Sequence, residues 1–336
     1  MGNIYHSIGQ LVGHTPLVEL VGYEKEHGYD AHLLAKLEYF NPTGSIKDRA
    51  AFHMIEAAKR EGRIRRGDTI VEQTSGNTGI ALAAFAIPRG YNVKIFLERG
   101  ATLERRQMLL AYGAQLLDYK DALGTKTPEE RQAGWQEPER EASLKEIGEY
   151  CRLQQTNHYF INQVVNPNNP DVHRRTTGPE IWQDTDGKVD FLVCMADTGG
   201  IAQGLSRYFR EKNPKVKIVL AQPHPSSRMT PDRPDAAIID GVLPFHGVPE
   251  EEIPGFISRD LYDEYVDVKA EEAFAVARDL ILTDGLFMGT SSAAALYAAG
   301  KLAERQENAG KNIVVIMPDN GMKYLTTGMF QTEEKA

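Results

Sequence analysis

A lysine that directly follows a turn-forming segment is the first group in this chain whose position suggests chemistry. The sequence Asn-Pro-Thr-Gly-Ser-Ile-Lys at 41–47 combines a turn-prone stretch with Ser45, a residue type that favours the start of a helix. Lys47 therefore lies at a predicted helix N-terminus, where the helix dipole disfavours an ammonium ion. A neutral lysine amine is the nucleophile that forms Schiff bases with carbonyl compounds. An exposed first-turn lysine is the commoner case when this segment is taken alone.

A second segment, Glu-Gln-Thr-Ser-Gly-Asn-Thr-Gly at 72–79, stands between a predicted strand and an apolar predicted helix. Short polar side chains and bare backbone N–H groups are concentrated there at a helix N-terminus. That arrangement is typical of a binding site for a carboxylate or another anion.

Two further segments have the same strand–turn–helix context. Ala-Asp-Thr-Gly-Gly-Ile at 196–201 opens a helix with a Gly-Gly turn, which suits a phosphate group held by backbone N–H groups. This segment matches neither the P-loop pattern nor the dinucleotide-binding pattern. Gly-Thr-Ser-Ser-Ala at 289–293 is a hydroxyl-rich turn before another helix.

The elements that must position these segments alternate along the chain. Short apolar, β-branched runs predict strands at 69–71, 92–97, 115–118, 191–195, 217–221 and 312–317. Amphipathic or apolar patterns predict helices at 50–61, 78–88, 103–112, 204–212, 271–283 and 291–304. Strands that alternate with helices of this length indicate an α/β fold with mainly parallel sheets.

In this order and separation, the four segments resemble the cysteine synthase family of fold-type-II pyridoxal-5′-phosphate (PLP) enzymes, which includes the cystathionine β-synthases. The resemblance runs from Ile8 to Leu325 and is close at 41–49, 74–79 and 176–182. The sequence of residues 42–49, together with Glu-Arg-Arg-Gln-Met at 104–108, is most similar to the O-phosphoserine/O-acetylserine sulfhydrylase branch.

The resemblance implies the organisation of the chain. It predicts two lobes, each a mainly parallel twisted sheet covered by helices, as in the tryptophan synthase β-like fold. Residues 45–160 would form the N-terminal lobe, with a mobile subdomain at about 90–160, and residues 1–44 and 161–330 the C-terminal lobe. A homodimer is also implied.

The resemblance further implies the roles of individual residues. Lys47 would hold the PLP cofactor as a Schiff base and act as the catalytic residue. Asn77 would bind the cofactor's ring oxygen, and Ser291 would face its ring nitrogen. The phosphate would lie on Thr198, Gly199 and Gly200, and the substrate carboxylate on Thr74, Ser75, Thr78 and Gln163.

The implied reaction is β-replacement on an O-activated L-serine, either O-acetylserine or O-phosphoserine, by sulfide or a related nucleophile. The product would be L-cysteine or a β-substituted alanine. One alternative keeps the cofactor but predicts β-elimination, release of sulfide from cysteine, or an amine nucleophile that gives a diaminopropionate-type product. Another alternative is a non-catalytic binding protein on the same scaffold.

The chain departs from the family pattern at the phosphate cradle. The family sequence there is close to Gly-Thr-Gly-Gly-Thr, whereas this chain has Asp197 before the threonine and Ile201 after the glycines. Ile201 removes a hydroxyl donor, and Asp197 brings a negative charge near a phosphate. These changes leave the detailed contacts of the cradle open.

A second departure concerns the leaving group. Phosphoserine-using relatives resemble Glu-Pro-Arg where this chain has Gln-Pro-His at 222–224, and Arg228 or Arg233 would have to supply the missing guanidinium. The glycine-rich closure segment of the family is also altered, at 240–249. His224 and His246 lie in these loops and are either acid–base groups or, more commonly, ordinary loop histidines.

The composition limits the classes of protein to which this chain can belong. The chain has 336 residues, 41% hydrophobic and 25% charged, and a formal charge of −9, which is ordinary for a globular protein and argues against a nucleic-acid partner. Cys151 and Cys194 predict neither a disulfide framework nor a metal site. The N-terminus lacks a signal-peptide pattern and no apolar run approaches a membrane span, so we expect a cytoplasmic protein.

The irregular stretches at 120–149 and 223–255 are either functional loops or plain surface insertions.

Overall fold

The computed structural model describes residues 4–230, 232–233 and 236–331. The start of the predicted C-terminal lobe at residue 1 and part of the 223–255 stretch lie outside these residues. Contacts between Cα atoms divide the chain into two units, 1–12 with 47–168 and 13–46 with 169–336. The lobe boundaries expected from the sequence, and the mobile subdomain, stay predictions.

The strands of the described residues are mostly short, buried and rich in β-branched side chains, as parallel sheets covered on both faces require. They are β1 Leu17–Glu19, β2 His32–Leu37, β3 Thr69–Thr74, β4 Asn92–Leu97, β5 Gln115–Leu117, β6 His158–Phe160, β7 Phe191–Met195, β8 Lys217–Pro223, β9 Glu264–Val268 and β10 Asn312–Met317.

Helices separate most of these strands. They are α1 Val21–His27, α2 Lys47–Arg60, α3 Asn77–Ala86, α4 Leu103–Ala111, α5 Tyr119–Leu123, α6 Pro128–Ala133, α7 Leu144–Leu153, α8 Asn168–Val172, α9 Gly178–Asp184, α10 Gly200–Lys212, α11 Ala270–Asp284 and α12 Thr290–Ala303. A π-helical turn, His173–Thr177, joins α8 to α9.

The first unit contains a parallel four-stranded sheet in the order β5-β4-β3-β6. The central strand β3 pairs along its whole length with β4, from Thr69 opposite Asn92 to Thr74 opposite Leu97. On its other side β3 pairs only with the three residues of β6. The carboxyl ends of β3 and β6 therefore lie side by side at one edge of the sheet.

The second unit contains a six-stranded sheet in the order β1-β2-β10-β7-β8-β9. Only β1 runs antiparallel, against β2, and the other neighbours are parallel. The almost entirely buried helix α12 packs on this sheet, and its alanines and leucines join the core with β7, β8 and β10. Large alkyl surfaces removed from water on both faces make this unit's core the main source of its stability.

The α/β fold with mainly parallel sheets is thus confirmed. Every predicted strand and helix is present, with ends that shift by up to four residues. The elements that were not predicted are β1, β2, β6, β9, α1, α5, α6, α8 and α9, and most of them other than β2 are short or half-exposed.

The stretch at 120–149 is not irregular throughout. It contains α5, α6 and the start of α7, and each of these helices begins with a capping box, at Asp118, Thr127 and Ser143. Among the described residues no helix combines the length and the apolar character that a membrane crossing demands.

Candidate active site

Lys47 is the first residue of α2 and is half-buried. The residues before it form the predicted turn, in which Gly44 adopts a positive φ of 79° and its N–H donates to the carbonyl of Asn41 at 2.9 Å. Ile46 N–H donates to the carbonyl of Pro318 at 2.8 Å, just past the carboxyl end of β10. The turn is therefore anchored on the sheet of the second unit immediately before the lysine.

The loop between β3 and α3 has the predicted strand–turn–helix form. Thr74 ends the strand, Asn77 begins the helix, and the N–H of Gly76 donates to the Thr74 hydroxyl at 3.1 Å. Gly76 has a φ of 149°, and a Cβ on it would lie 2.7 Å from Cδ of the buried Arg105. A side chain at this position would be strained and would displace Arg105, so the turn favours glycine. The helix N-terminus that follows is of the kind that binds anions.

Two predicted carboxylate-binding residues meet at this loop. The Thr78 hydroxyl donates to Oε1 of Gln163 at 2.7 Å, although 85 residues separate them. Gln163 is 6% exposed and follows β6, the neighbour of β3. Thr74 and Thr78 are buried, while Ser75 and Asn77 are half-buried. The structure therefore brings the predicted carboxylate residues of this unit together at one sheet edge.

Beside them lies Glu72, a residue to which the sequence assigned no role. It is 2% exposed, and its two oxygens accept from the N–H groups of Gln73 at 2.9 Å and Gln163 at 3.0 Å. Burial raises the pKa of Glu72 to about 8, even though both N–H groups and the charge of Lys47 lower it. A carboxylate within a buried strand was the available signal, because such groups are rarely buried without a partner.

The loop between β7 and α10 forms the predicted cradle in the second unit. Gly199 has a φ of 86°, and a Cβ on it would lie 2.9 Å from Ile257. A Cβ on Gly200 would lie 2.4 Å from Oδ1 of Asn169. The Thr198 hydroxyl accepts from Nδ2 of Asn169 at 3.1 Å and from the N–H of Gly200 at 3.3 Å. The backbone of the cradle is thus closely packed against Ile257 and Asn169.

The two departures from the family pattern at this cradle differ in their surroundings. Ile201 is 6% exposed and packs in the core of the second unit, so its alkyl side chain replaces a hydroxyl without exposing apolar surface. Asp197 is half-buried at the turn before Thr198. The phosphate would be held by backbone N–H groups, to which a side-chain change matters little.

Ser291 lies in the first turn of α12 and is 6% exposed. The helix start is fixed on the residues after β10, because Gly289 N–H and the Ser292 hydroxyl both donate to the carbonyl of Asp319 at 3.1 Å. A Cβ on Gly289 would lie 2.0 Å from Oδ1 of Asp319. Since β10 and β7 are neighbours, Ser291 and the cradle lie at the same carboxyl edge of one sheet.

These residues fit PLP. A Cβ on Gly199 would collide with Ile257 and one on Gly200 with Asn169, so this turn has no side chains and presents backbone N–H groups of the kind that bind a phosphate. Ser291 supplies a neutral hydroxyl at the same sheet edge.

A family model described as "Pyridoxal-phosphate dependent enzyme" matches residues 8–319. This chain belongs to that family. It is 37% identical to cysteine synthase A of Salmonella typhi over 98% of this chain and 97% of that protein. The structure of a cysteine synthase (OASS) from Entamoeba histolytica matches with a TM-score of 0.79 and 33% identity, over 99% of this chain and 93% of that one.

A third match concerns the alternative reaction. The structure of a hydrogen sulfide-producing enzyme from Fusobacterium nucleatum has a TM-score of 0.76 and 33% identity, over 96% of this chain and all of that chain. The matches at this level of identity confirm the fold-type-II PLP architecture, the PLP cofactor and the resemblance to cysteine synthases.

In the loops that differ from those of phosphoserine-using members of the family, the polar side chains contact neighbouring residues of this chain. Gln222 accepts at Oε1 from the N–H groups of Phe245 and His246, at 3.0 and 2.9 Å. His224 accepts from the N–H of Ser226 at 3.1 Å and so caps a short turn. His246 stacks on Tyr265 at 4.4 Å between ring centroids. These are the contacts of ordinary loop histidines.

Proposed function

We propose that this protein catalyses β-replacement on an O-activated L-serine, with sulfide or a related nucleophile, to give L-cysteine or a β-substituted alanine. It is then a transferase of the cysteine synthase type. The observation that carries the proposal is the Thr78–Gln163 pair at the N-terminus of α3, in the same unit as Lys47. It supports a site for the carboxylate of an amino acid, which the cofactor alone does not require.

The roles of the residues follow from their positions. PLP, when bound, supplies an aldehyde that condenses with amines and a ring that withdraws electrons from the substrate α-carbon. Nζ of Lys47 holds the cofactor and, once the substrate amine has replaced it, takes the α-proton as general base. The Thr74, Ser75 and Thr78 loop orients the substrate by its carboxylate, so that the leaving group and the β-carbon occupy a defined position.

Ser291 selects the outcome. Its hydroxyl is neutral, whereas an aspartate would keep the ring nitrogen protonated and stabilise a long-lived carbanion. A ring that faces a neutral serine withdraws electrons more weakly than one that faces an aspartate. This favours prompt loss of the β-leaving group, as the replacement reaction requires. Exclusion of water by loop closure then protects the reactive carbon until the nucleophile arrives.

The arginines near the altered loop favour acetate over phosphate as leaving group. Nε and Nη2 of Arg228 both donate to the carbonyl of Pro223, at 3.1 and 3.0 Å, and Nη2 of Arg233 donates to the carbonyl of Pro225 at 2.8 Å. These bonds direct Nε and Nη2 of Arg228 and Nη2 of Arg233 toward their own loop, so fewer N–H groups are left for a bidentate grip on a phosphate. We therefore expect O-acetylserine to be the better donor.

A donor-by-nucleophile screen tests the proposal. O-acetylserine or O-phosphoserine is supplied with sulfide or an amine, and the amino-acid product is identified by mass. We expect L-cysteine from O-acetylserine and sulfide. Absence of cysteine and of any other β-substituted alanine with both donors would refute the proposal.

The sulfide-producing relative favours a second candidate, release of sulfide from L-cysteine. Incubation with L-cysteine in the absence of any donor separates the two. Sulfide formed at a rate comparable to the replacement reaction would make release the principal activity. The homodimer implied by the resemblance and the cytoplasmic location expected from the sequence stay predictions.

A further inference from the structure

We infer that Glu72 is a positioning residue for the substrate carboxylate, acting through Gln163. The inference rests on the proposed function insofar as Gln163 receives that carboxylate. Glu72 does not need to touch the substrate. Its role is to hold the backbone of Gln163, so that the side chain of Gln163 meets Thr78.

The first evidence is where the β3–β6 ladder stops. Ile161 N–H still donates to the carbonyl of Val71 at 3.0 Å, as in a parallel pair. A continued ladder would bring the N–H of Gln163 to the carbonyl of Gln73. Instead that N–H donates to Oε2 of Glu72, and Oε1 of Glu72 accepts from the N–H of Gln73. The carboxylate thus takes over the connection between the two strands at the point where the backbone ladder ends.

The second evidence is the conformation of the chain at this point. Asn162 has a φ of 51°, a left-handed conformation that residues other than glycine rarely adopt. Its carbonyl then accepts from the N–H groups of Val165 at 3.2 Å and Asn166 at 3.0 Å, which turns the chain away from the sheet. A turn of this kind persists only where its surroundings hold it. The bond from Gln163 to Glu72 is the backbone attachment directly after the unusual residue.

The consequence appears in the side chain of Gln163. Its Oε1 accepts from the Thr78 hydroxyl at 2.7 Å, and its Nε2 faces the carbonyl of Gln73 at 3.4 Å. Both contacts depend on the backbone of Gln163 lying against the end of β3. One buried carboxylate therefore sets the geometry between the helix N-terminus and the amide that together receive the substrate.

The test variant is Glu72→Gln in the holoenzyme. The amide has the same size, but its NH₂ group cannot accept a hydrogen bond, so one of the two backbone N–H groups loses its acceptor. We expect KM for the amino-acid donor to rise roughly tenfold, the size of effect that an unsatisfied buried donor produces. We expect kcat at saturating donor, and KM for the nucleophile, to stay close to those of the unmodified protein.

A second readout does not depend on activity. Hydrogen–deuterium exchange of peptides that cover residues 161–166 should become faster in Glu72→Gln, because the turn loses its attachment. Exchange in peptides from α10 in the other unit should not change. If the unmodified protein makes no product from any donor, the proposed function fails, but this measurement still decides whether Glu72 holds the Gln163 turn.

Asp68→Asn is the matched control. Asp68 is 7% exposed, directly precedes β3, and accepts from the N–H of Arg65 and from Nδ2 of Asn157 at 2.8 and 2.7 Å. It lies four residues before Glu72, about 13 Å along the strand. The control makes the same change from a carboxyl group to an amide in the same unit, and donor KM and exchange at 161–166 should be unchanged.

Three results would overturn the inference. One is unchanged exchange at 161–166 together with unchanged donor KM in Glu72→Gln. Another is a similar fall of kcat and a similar rise of donor KM in Glu72→Gln and in Asp68→Asn, which would mean that Glu72 has only a structural role. If Glu72→Gln does not fold, Glu72→Asp takes its place, since the shorter side chain cannot reach both N–H groups. Exchange at 161–166 in Glu72→Asp that is as slow as in the unmodified protein would equally contradict the proposal.

Discussion

The loops after β3 and β7 share a strand–turn–helix form but are built in opposite ways. The β3–α3 loop is held by side chains: Thr78 bonds to Gln163, and Glu72 bonds to two backbone N–H groups. The β7–α10 loop depends on the absence of side chains at Gly199 and Gly200, where any Cβ would meet its neighbours. The first loop is therefore sensitive to loss of a polar group and to pH, and the second to any added atom.

Lys47→Ala is the reference for both loops and should have the largest effect. Without the amine neither the attachment of the cofactor nor the removal of the α-proton is possible, so we expect turnover to fall by about three orders of magnitude or more. Circular dichroism should show an intact fold, and borohydride reduction should give a pyridoxyl mass on residue 47 only in the unmodified protein. Lys59→Ala, an exposed position in the last turn of the same helix, is the control and should be active. Normal turnover by Lys47→Ala would contradict the assigned role.

Gly200→Ala tests the loop that is built from missing side chains. The new Cβ would lie 2.4 Å from Oδ1 of Asn169, so the backbone of the cradle or Asn169 must move. We expect PLP affinity to fall roughly tenfold or more and the free energy of unfolding to fall by about 1–3 kcal/mol. Titration of the cofactor-free protein with PLP and denaturant unfolding measure the two quantities.

Gly148→Ala is the control for this substitution. Gly148 lies inside α7, where a Cβ would meet nothing within 4 Å, so alanine should stabilise the helix by up to about 1 kcal/mol. Equal PLP affinity in the Gly200→Ala and Gly148→Ala variants would contradict the assignment of the cradle.

A further difference between the two loops is the pH dependence that Glu72 gives to the β3–α3 loop. Burial raises the pKa of Glu72 to about 8 in the folded protein, above that of a glutamate in the unfolded chain. The folded state then binds more protons than the unfolded state between the two pKa values. Stability should therefore fall as pH rises from about 5 to 8, by at most about 1.4 kcal/mol per pH unit from this group.

Denaturant unfolding of the unmodified protein and of Glu72→Gln over this pH range isolates the contribution. The slope should be smaller in the variant, because its amide does not titrate. The β7–α10 loop uses backbone groups, so Gly200→Ala should retain the slope of the unmodified protein. Identical slopes in the Glu72→Gln variant and the unmodified protein would show that Glu72 does not titrate in this range.

The sequence alone was sufficient for elements with long apolar runs and for the segments that carry chemistry. The buried strands β4, β7 and β10 were predicted with the bounds that the structure shows, because runs of mainly apolar residues are a local signal. The three-residue strand β6, whose apolar residues are Tyr159 and Phe160, was missed, whereas β5, equally short but with two consecutive leucines, was predicted. The fold family and cofactor followed from four segments whose spacing is fixed by the strands and helices between them.

Only the tertiary structure decided which distant residues meet. The insertion of β10 between β2 and β7, and the pairing of Gln163 with Glu72 over 91 residues, depend on which parallel strands become neighbours. Parallel neighbours are joined by crossovers of variable length, so nothing in the local spacing encodes them. The contacts of Arg228 and Arg233 with their own loop span only five and eight residues, but they were undecided as well, because an irregular loop has no period that indicates where a side chain points. Residue types set the chemistry that is possible, and long-range packing sets which groups are placed to perform it.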